Sequence, residues 1–78
     1  LAPLRKRIKD AEKAIAHATA EIDKRESALA DPALYTSDPA KATRLSTERA
    51  RFVEQKVAAE EEWLAASEEY EMAMAESA

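Results

Sequence analysis

Lys41, Arg44 and Arg51 recur at helical spacing along one flank of a segment that holds no glycine and, after Pro39, no proline. Lys24, Arg25 and Arg49 come close to them if the chain doubles back near residues 31–38. Cations gathered along one part of a rod can contact nucleic-acid phosphates, which require no base pocket. Asp23, Glu26, Asp31, Asp38 and Glu48 are interspersed and dilute that field, so a solvated flank is the competing reading.

Other chemistries find less support. His17 is the one histidine and falls off the apolar positions, where a solvated helix residue is expected. Cysteine is absent, which excludes disulfides and thiolate–zinc sites and leaves cytosol as the default compartment. No glycine loop exists to cradle a phosphate. The carboxylates have no cavity to shift them, because two helices form no sizeable pocket. Met72 and Met74 read as tail residues rather than ligands. The chain is therefore expected to have no catalytic residue, no metal site and no cofactor of its own.

The elements that position the cations follow from the rest of the sequence. Its 78 residues make one small domain, rich in alanine, glutamate, lysine, arginine and leucine. No apolar run approaches the roughly 18 residues that span a bilayer, so no membrane partner is expected. The chain starts on Leu1 rather than Met and is expected to be part of a longer protein. Leu1, Ile8, Ile15, Ile22 and Leu29 fall seven apart, with Leu4, Ala11, Ala18 and Arg25 three residues after the first four. This is a heptad seam with branched residues at one core position and mostly small ones at the other. It predicts a helix over 3–30, about 40 Å long.

Pro32 and Pro39 oppose a continuous helix, and each disfavours the α conformation in the residue before it. A turn is expected over 31–38, and Asp38–Pro39 is a helix-start signal. A second helix over 39–76 follows, about 55 Å long, with the part beyond Tyr70 expected to fray. Leu45, Phe52, Ala59, Trp63, Ala66 and Tyr70 share its inner face. Arg49, Lys56 and Glu60 also project near that face; snorkelling side chains or a local π-bulge could accommodate them. The fold class expected is all-α, a two-helix antiparallel coiled-coil hairpin that is monomeric. Leu29, Leu34, Tyr35 and Leu45 should close its tip. Ile22 should lie near Leu45 and Arg49, Ile15 near Phe52, and Ile8 near Trp63, the buried anchor of the open end. The basic first segment, Arg5 to Lys13, should neutralise the glutamates from Glu60 to Glu76.

A Leu1-Ala2-Pro3 start, Asp31-Pro32-Ala33-Leu34-Tyr35 in the turn and Glu62-Trp63-Leu64 in the second helix complete the pattern. In these features the chain resembles the C-terminal coiled-coil domain of ABC-F proteins, especially the Uup-type branch. The resemblance spans Leu1 to about Tyr70 and departs at Arg49, Lys56 and Glu60, where apolar seam residues are usual. It implies a cytoplasmic parent ATPase with two ATP-binding cassettes, which would hold ATP and Mg outside this chain. ABC-F proteins act on the ribosome and translation, and the Uup-type domain is associated with DNA. The partner implied is nucleic acid, DNA or ribosomal RNA, bound weakly and without sequence preference. The rival readings are a structural hairpin that docks on protein and a homodimerising coiled coil.

Overall fold

In the computed structural model, which describes residues 1–77, the chain is all-α with no strand among the described residues. Helix α1 runs Ala2–Leu29, α2 runs Pro32–Ser37 and α3 runs Pro39–Ser77. Helices α1 and α3 pack antiparallel, with Arg7 beside Glu62 and Arg25 beside Glu48, in a rod of 62 × 15 × 13 Å.

One device is used twice at the tip. Asp31 precedes Pro32 and is extended at φ −80°, ψ 112°; its carboxylate accepts the Ala33 amide at 3.0 Å. Asp38 precedes Pro39 at φ −149°, ψ 74° and accepts the Lys41 amide at 3.1 Å. Each proline pushes its neighbour out of the α region, and each aspartate satisfies a free N–H of the helix that follows. No described residue has positive φ, so the chain reverses without glycine.

The segment expected to be a proline-bounded turn over 31–38 therefore contains a helix. Asp31–Pro32 carries the same start signal as Asp38–Pro39, so α2 was legible at that dipeptide. Its presence moves the pairing of the long helices. Tyr35 lies against Pro39, Ala42, Thr43, Ser46 and Thr47, so α2 covers the first turns of α3. Farther along, Ile15 shares a groove with Trp63 and Leu64, and Ile8 shares one with Tyr70. The partner of Ile8 is thus Tyr70 rather than Trp63, two turns on, and that of Ile15 is Trp63 rather than Phe52, about three turns on. The cause is that residues 32–37 wind into α2 at the tip instead of turning about Leu34.

The buried core is small: Ala11, Ala18, Ile22, Ala42 and Ala66. Ile8, Ile15, Leu29, Leu34, Leu45 and Phe52 are half-buried along the same seam. On α3 the covered positions alternate by three and four through Ala42, Leu45, Arg49, Phe52, Lys56 and Ala59, then on to Ala66, Tyr70 and Ala73. Helix α3 is continuous with no π segment, so Arg49 and Lys56 sit in the seam itself, half-buried, while Glu60 is exposed. Their methylene stems cover apolar surface and their charged ends reach its edge.

Two expected core residues lie elsewhere. Trp63 is 37% exposed, and its indole N–H donates to Glu12 at 3.2 Å. Ala66 is fully buried and Ala18 is 1% exposed; such contacts draw the helices close and leave no room between them for an indole. The ring consequently lies along the side of the seam. Tyr35 is 51% exposed and closes the tip by a hydrogen bond rather than by burial: its hydroxyl donates to the Leu29 carbonyl at 2.9 Å. That bond ties α2 to the last turn of α1.

Candidate nucleic-acid interface

The six candidate cations divide into two kinds. Arg25 is bound into the fold. Its Nη1 donates to Glu21 Oε2 at 2.6 Å and to the Glu21 carbonyl at 3.0 Å, and its Nε donates to Glu48 Oε1 at 3.2 Å. The guanidinium carbon also lies 4.6 Å from the centre of the Phe52 ring. His17 meets that ring edge-on at 6.0 Å, so Phe52 is covered by a cation and an imidazole. The hydrogen bond to Glu21, reinforced by Glu48, holds the Arg25 pKa above its ordinary value. The same bond lowers the Glu21 carboxyl, with Lys24 adding a smaller effect.

Arg49 is likewise committed, through Nε and Nη2 to Glu26 Oε1 at 3.0 and 2.6 Å. Lys24 keeps a loose contact with Glu21 at 3.5 Å and stays largely in solvent. Lys41, Arg44 and Arg51 differ from these. All three are exposed, and none has a carboxylate within 4 Å among the described residues. Glu48 lies four residues after Arg44 and three before Arg51, within reach of both, but Arg25 holds it from the facing helix. Asp31 and Asp38 are turned onto the N-termini of α2 and α3, where the helix dipoles offset their charge. The flank around Arg44 and Arg51 thus keeps its positive charge despite the surrounding acids.

The open end is neutralised less completely than the charge count suggests. Arg7 bridges to Glu62 at 2.8 Å and to Glu69, and these bonds raise its pKa. Lys6 instead pairs along its own helix with Asp10 at 2.6 Å, lowering the Asp10 carboxyl. Arg5, Lys9 and Lys13 have no carboxylate within 4 Å among the described residues. They form a second basic stripe, next to Ile8 and Tyr70. Their four-residue spacing was the sequence signal for a shared helix face. Among the described residues no group of three His, Cys, Asp or Glu could hold a metal, and no helix is long and apolar enough to cross a membrane.

These features define an antiparallel coiled-coil hairpin with a short capped helix at its tip and charge as its main surface chemistry. The sequence matches the ABC transporter C-terminal domain over residues 3–68, and the chain belongs to that family. It is an accessory domain of an ABC protein. No curated protein and no solved structure shows significant similarity to it.

Proposed function

We propose that this domain contacts nucleic-acid phosphates through Lys41, Arg44 and Arg51, with Lys24 beside them, on behalf of a cytoplasmic ABC-F ATPase. The observation that carries the reading is how the carboxylates are distributed. Glu21, Glu26 and Glu48 are held by Arg25 and Arg49, while the three exposed cations of α3 have no carboxylate within 4 Å among the described residues. Arg25 and Arg49 thereby act as supports of the interface rather than as contacts. ATP and Mg belong to the cassettes of such a parent, and the target is DNA or ribosomal RNA. A rod with no recognition loop reads backbone charge, and binding of that type has a Kd of ~10⁻⁴–10⁻⁶ M. The chain acts as a monomer in this reading.

The test is a titration of labelled DNA and RNA duplexes at two salt concentrations. Three phosphate contacts predict a log–log salt slope of about −3. Arg44→Glu with Arg51→Glu should abolish binding and leave the helical circular dichroism unchanged, since both side chains are off the seam. Lys9→Glu with Lys13→Glu makes the same change in net charge at the other end and should weaken binding less. Equal losses from the two pairs would show that overall charge alone is read, and binding without salt dependence would remove the phosphate reading altogether.

A further inference from the structure

We propose that the open half of the rod pairs with a second copy of the chain, open end beside open end. The grooves at Tyr70 and at Trp63 are consecutive parts of one side of the seam, because Arg5, Ile8 and Tyr70 lie one heptad from Glu12, Ile15 and Trp63. Val57, seven residues before Leu64, extends the strip toward the tip. Trp63 is 37%, Val57 48% and Leu64 53% exposed, so the hairpin leaves the floor of this strip uncovered. A continuous apolar strip with polar borders marks a contact surface.

The two borders carry opposite charge, and each belongs to one helix. Along α1 run Arg5, Lys9 and Lys13, with no carboxylate within 4 Å among the described residues. Lys6 and Asp10 on that edge neutralise each other, and Glu12 accepts the Trp63 indole N–H. Along α3, Glu60 lines the groove, and Glu61, Glu68 and Glu71 lie three, four and seven residues from Leu64 and share its face. None of these four has a basic group within 4 Å among the described residues. A partner of either sign alone meets repulsion along one border. A surface with one basic and one acidic edge is complementary to itself. A two-fold axis parallel to the rod lays α1 of each copy along α3 of the other, so both pairs of edges attract over the shared apolar strip. An axis across the rod would instead oppose basic edge to basic edge. The open half of one face of the rod measures about 30 × 15 Å, so two copies cover about 900 Å² together, the size of a weak, reversible interface. Arg44 and Arg51 lie on the other side of the seam, where Arg7 bridges Glu62 and Glu69; Arg7 is about 200° round α1 from Arg5. The dimer therefore leaves the phosphate-contacting flank open and does not depend on that reading. At the dilution of a labelled nucleic-acid titration the chain remains the monomer of that reading.

Trp63, the one tryptophan of the chain, reports directly on the strip. Sedimentation equilibrium from micromolar to millimolar concentration is the assay, with Trp63 emission read on the same samples. The mass should rise from one chain toward two and no further, and the emission should shift to the blue with it. Lys9→Glu with Lys13→Glu gives a chain with two acidic edges, and Glu61→Lys with Glu68→Lys gives one with two basic edges. Each should stay monomeric alone, and an equimolar mixture should restore the two-chain species. Arg44→Glu with Arg51→Glu makes the same change in net charge as the first pair and should keep the dimer. Val57→Ala with Leu64→Ala leaves net charge unchanged and favours helix. Symmetry counts each substitution twice, so this variant should dimerise about a hundredfold more weakly. A native chain that stays monomeric with unchanged Trp63 emission would overturn the proposal and leave the strip to a different protein. A dimer that the mixed variants fail to restore, or that the alanine variant forms as well as the native chain, would place the contact elsewhere and overturn it too.

Discussion

Replacing Trp63 with alanine should destabilise the hairpin without abolishing it. A buried tryptophan truncated to alanine costs ~3–5 kcal/mol, of which part is the cavity left behind. Here 37% of the residue is already in water, and the groove it borders is open, so solvent fills the vacated space. Scaling that cost by the buried fraction gives ~2–3 kcal/mol, an upper figure because no closed cavity is left behind. In a domain of this size 1 kcal/mol moves the melting midpoint by about 4–8 °C, so a fall of about 10–20 °C is expected. Thermal melts followed at 222 nm by circular dichroism measure it. A seam residue offers the contrast. Ala66→Leu adds apolar atoms at a site with no exposure, where overpacking costs ~1–3 kcal/mol, so it should lower the midpoint as well. An unchanged midpoint for Trp63→Ala would mean that the ring is effectively in solvent. Loss of the whole fold would make Trp63 the anchor and would refute the close alanine packing that displaces it.

Three further outcomes are expected. Tyr35→Phe removes the hydroxyl bond to the Leu29 carbonyl and should cost ~0.5–1.5 kcal/mol, seen in a urea melt, with faster amide exchange in α2 than in the middle of α1. Acid should loosen the hairpin: Glu21 and Asp10 have folded pKa values below their unfolded ones, so their stabilisation is present above the unfolded values and lost as pH falls through the folded ones. Glu21→Gln should flatten that acid limb of a stability–pH curve, whereas a limb of unchanged steepness would assign it to other carboxylates. Amide exchange beyond Tyr70 should be fast, because the half-buried Ala73 is the last covered residue of α3.

The long helices were legible because their signals are local and repeated. An uninterrupted heptad in α1 and alanine-rich composition require no knowledge of the partner helix. Asp38–Pro39 likewise marks a helix start by the chemistry of two residues. The register was not legible, because it depends on how many residues the tip takes up and in what form. Six residues wound as α2 place Trp63 beside Ile15, whereas a turn with its tip near Leu34 would have placed it beside Ile8. The roles of Arg25 and Arg49 were hidden for the same reason. In sequence they are cations among other cations, and only the facing helix supplies Glu48 to one and Glu26 to the other.

That division of labour gives the rod its polarity. Arg44 and Arg51 precede Glu62 and Glu69 by eighteen residues, five full helical turns, and so share their flank of α3. Along that flank the charge changes sign from tip to open end, and α1 responds differently to the two halves. At the open end it offers Arg7, which bridges both glutamates. Toward the tip it again offers an arginine, Arg25, which takes the one intervening carboxylate, Glu48, and leaves Arg44 and Arg51 with no carboxylate within 4 Å among the described residues. Packing therefore uses the acidic half of the flank and leaves the basic half to solvent or a partner. Exposed ion pairs contribute only ~0–1 kcal/mol each, so salt should lower the melting midpoint modestly. Phosphate contacts fall as a power of salt concentration, so binding should vanish while the hairpin remains folded. A melting midpoint that collapsed over the same salt range as binding would show that the fold, rather than the free flank, carries the salt dependence.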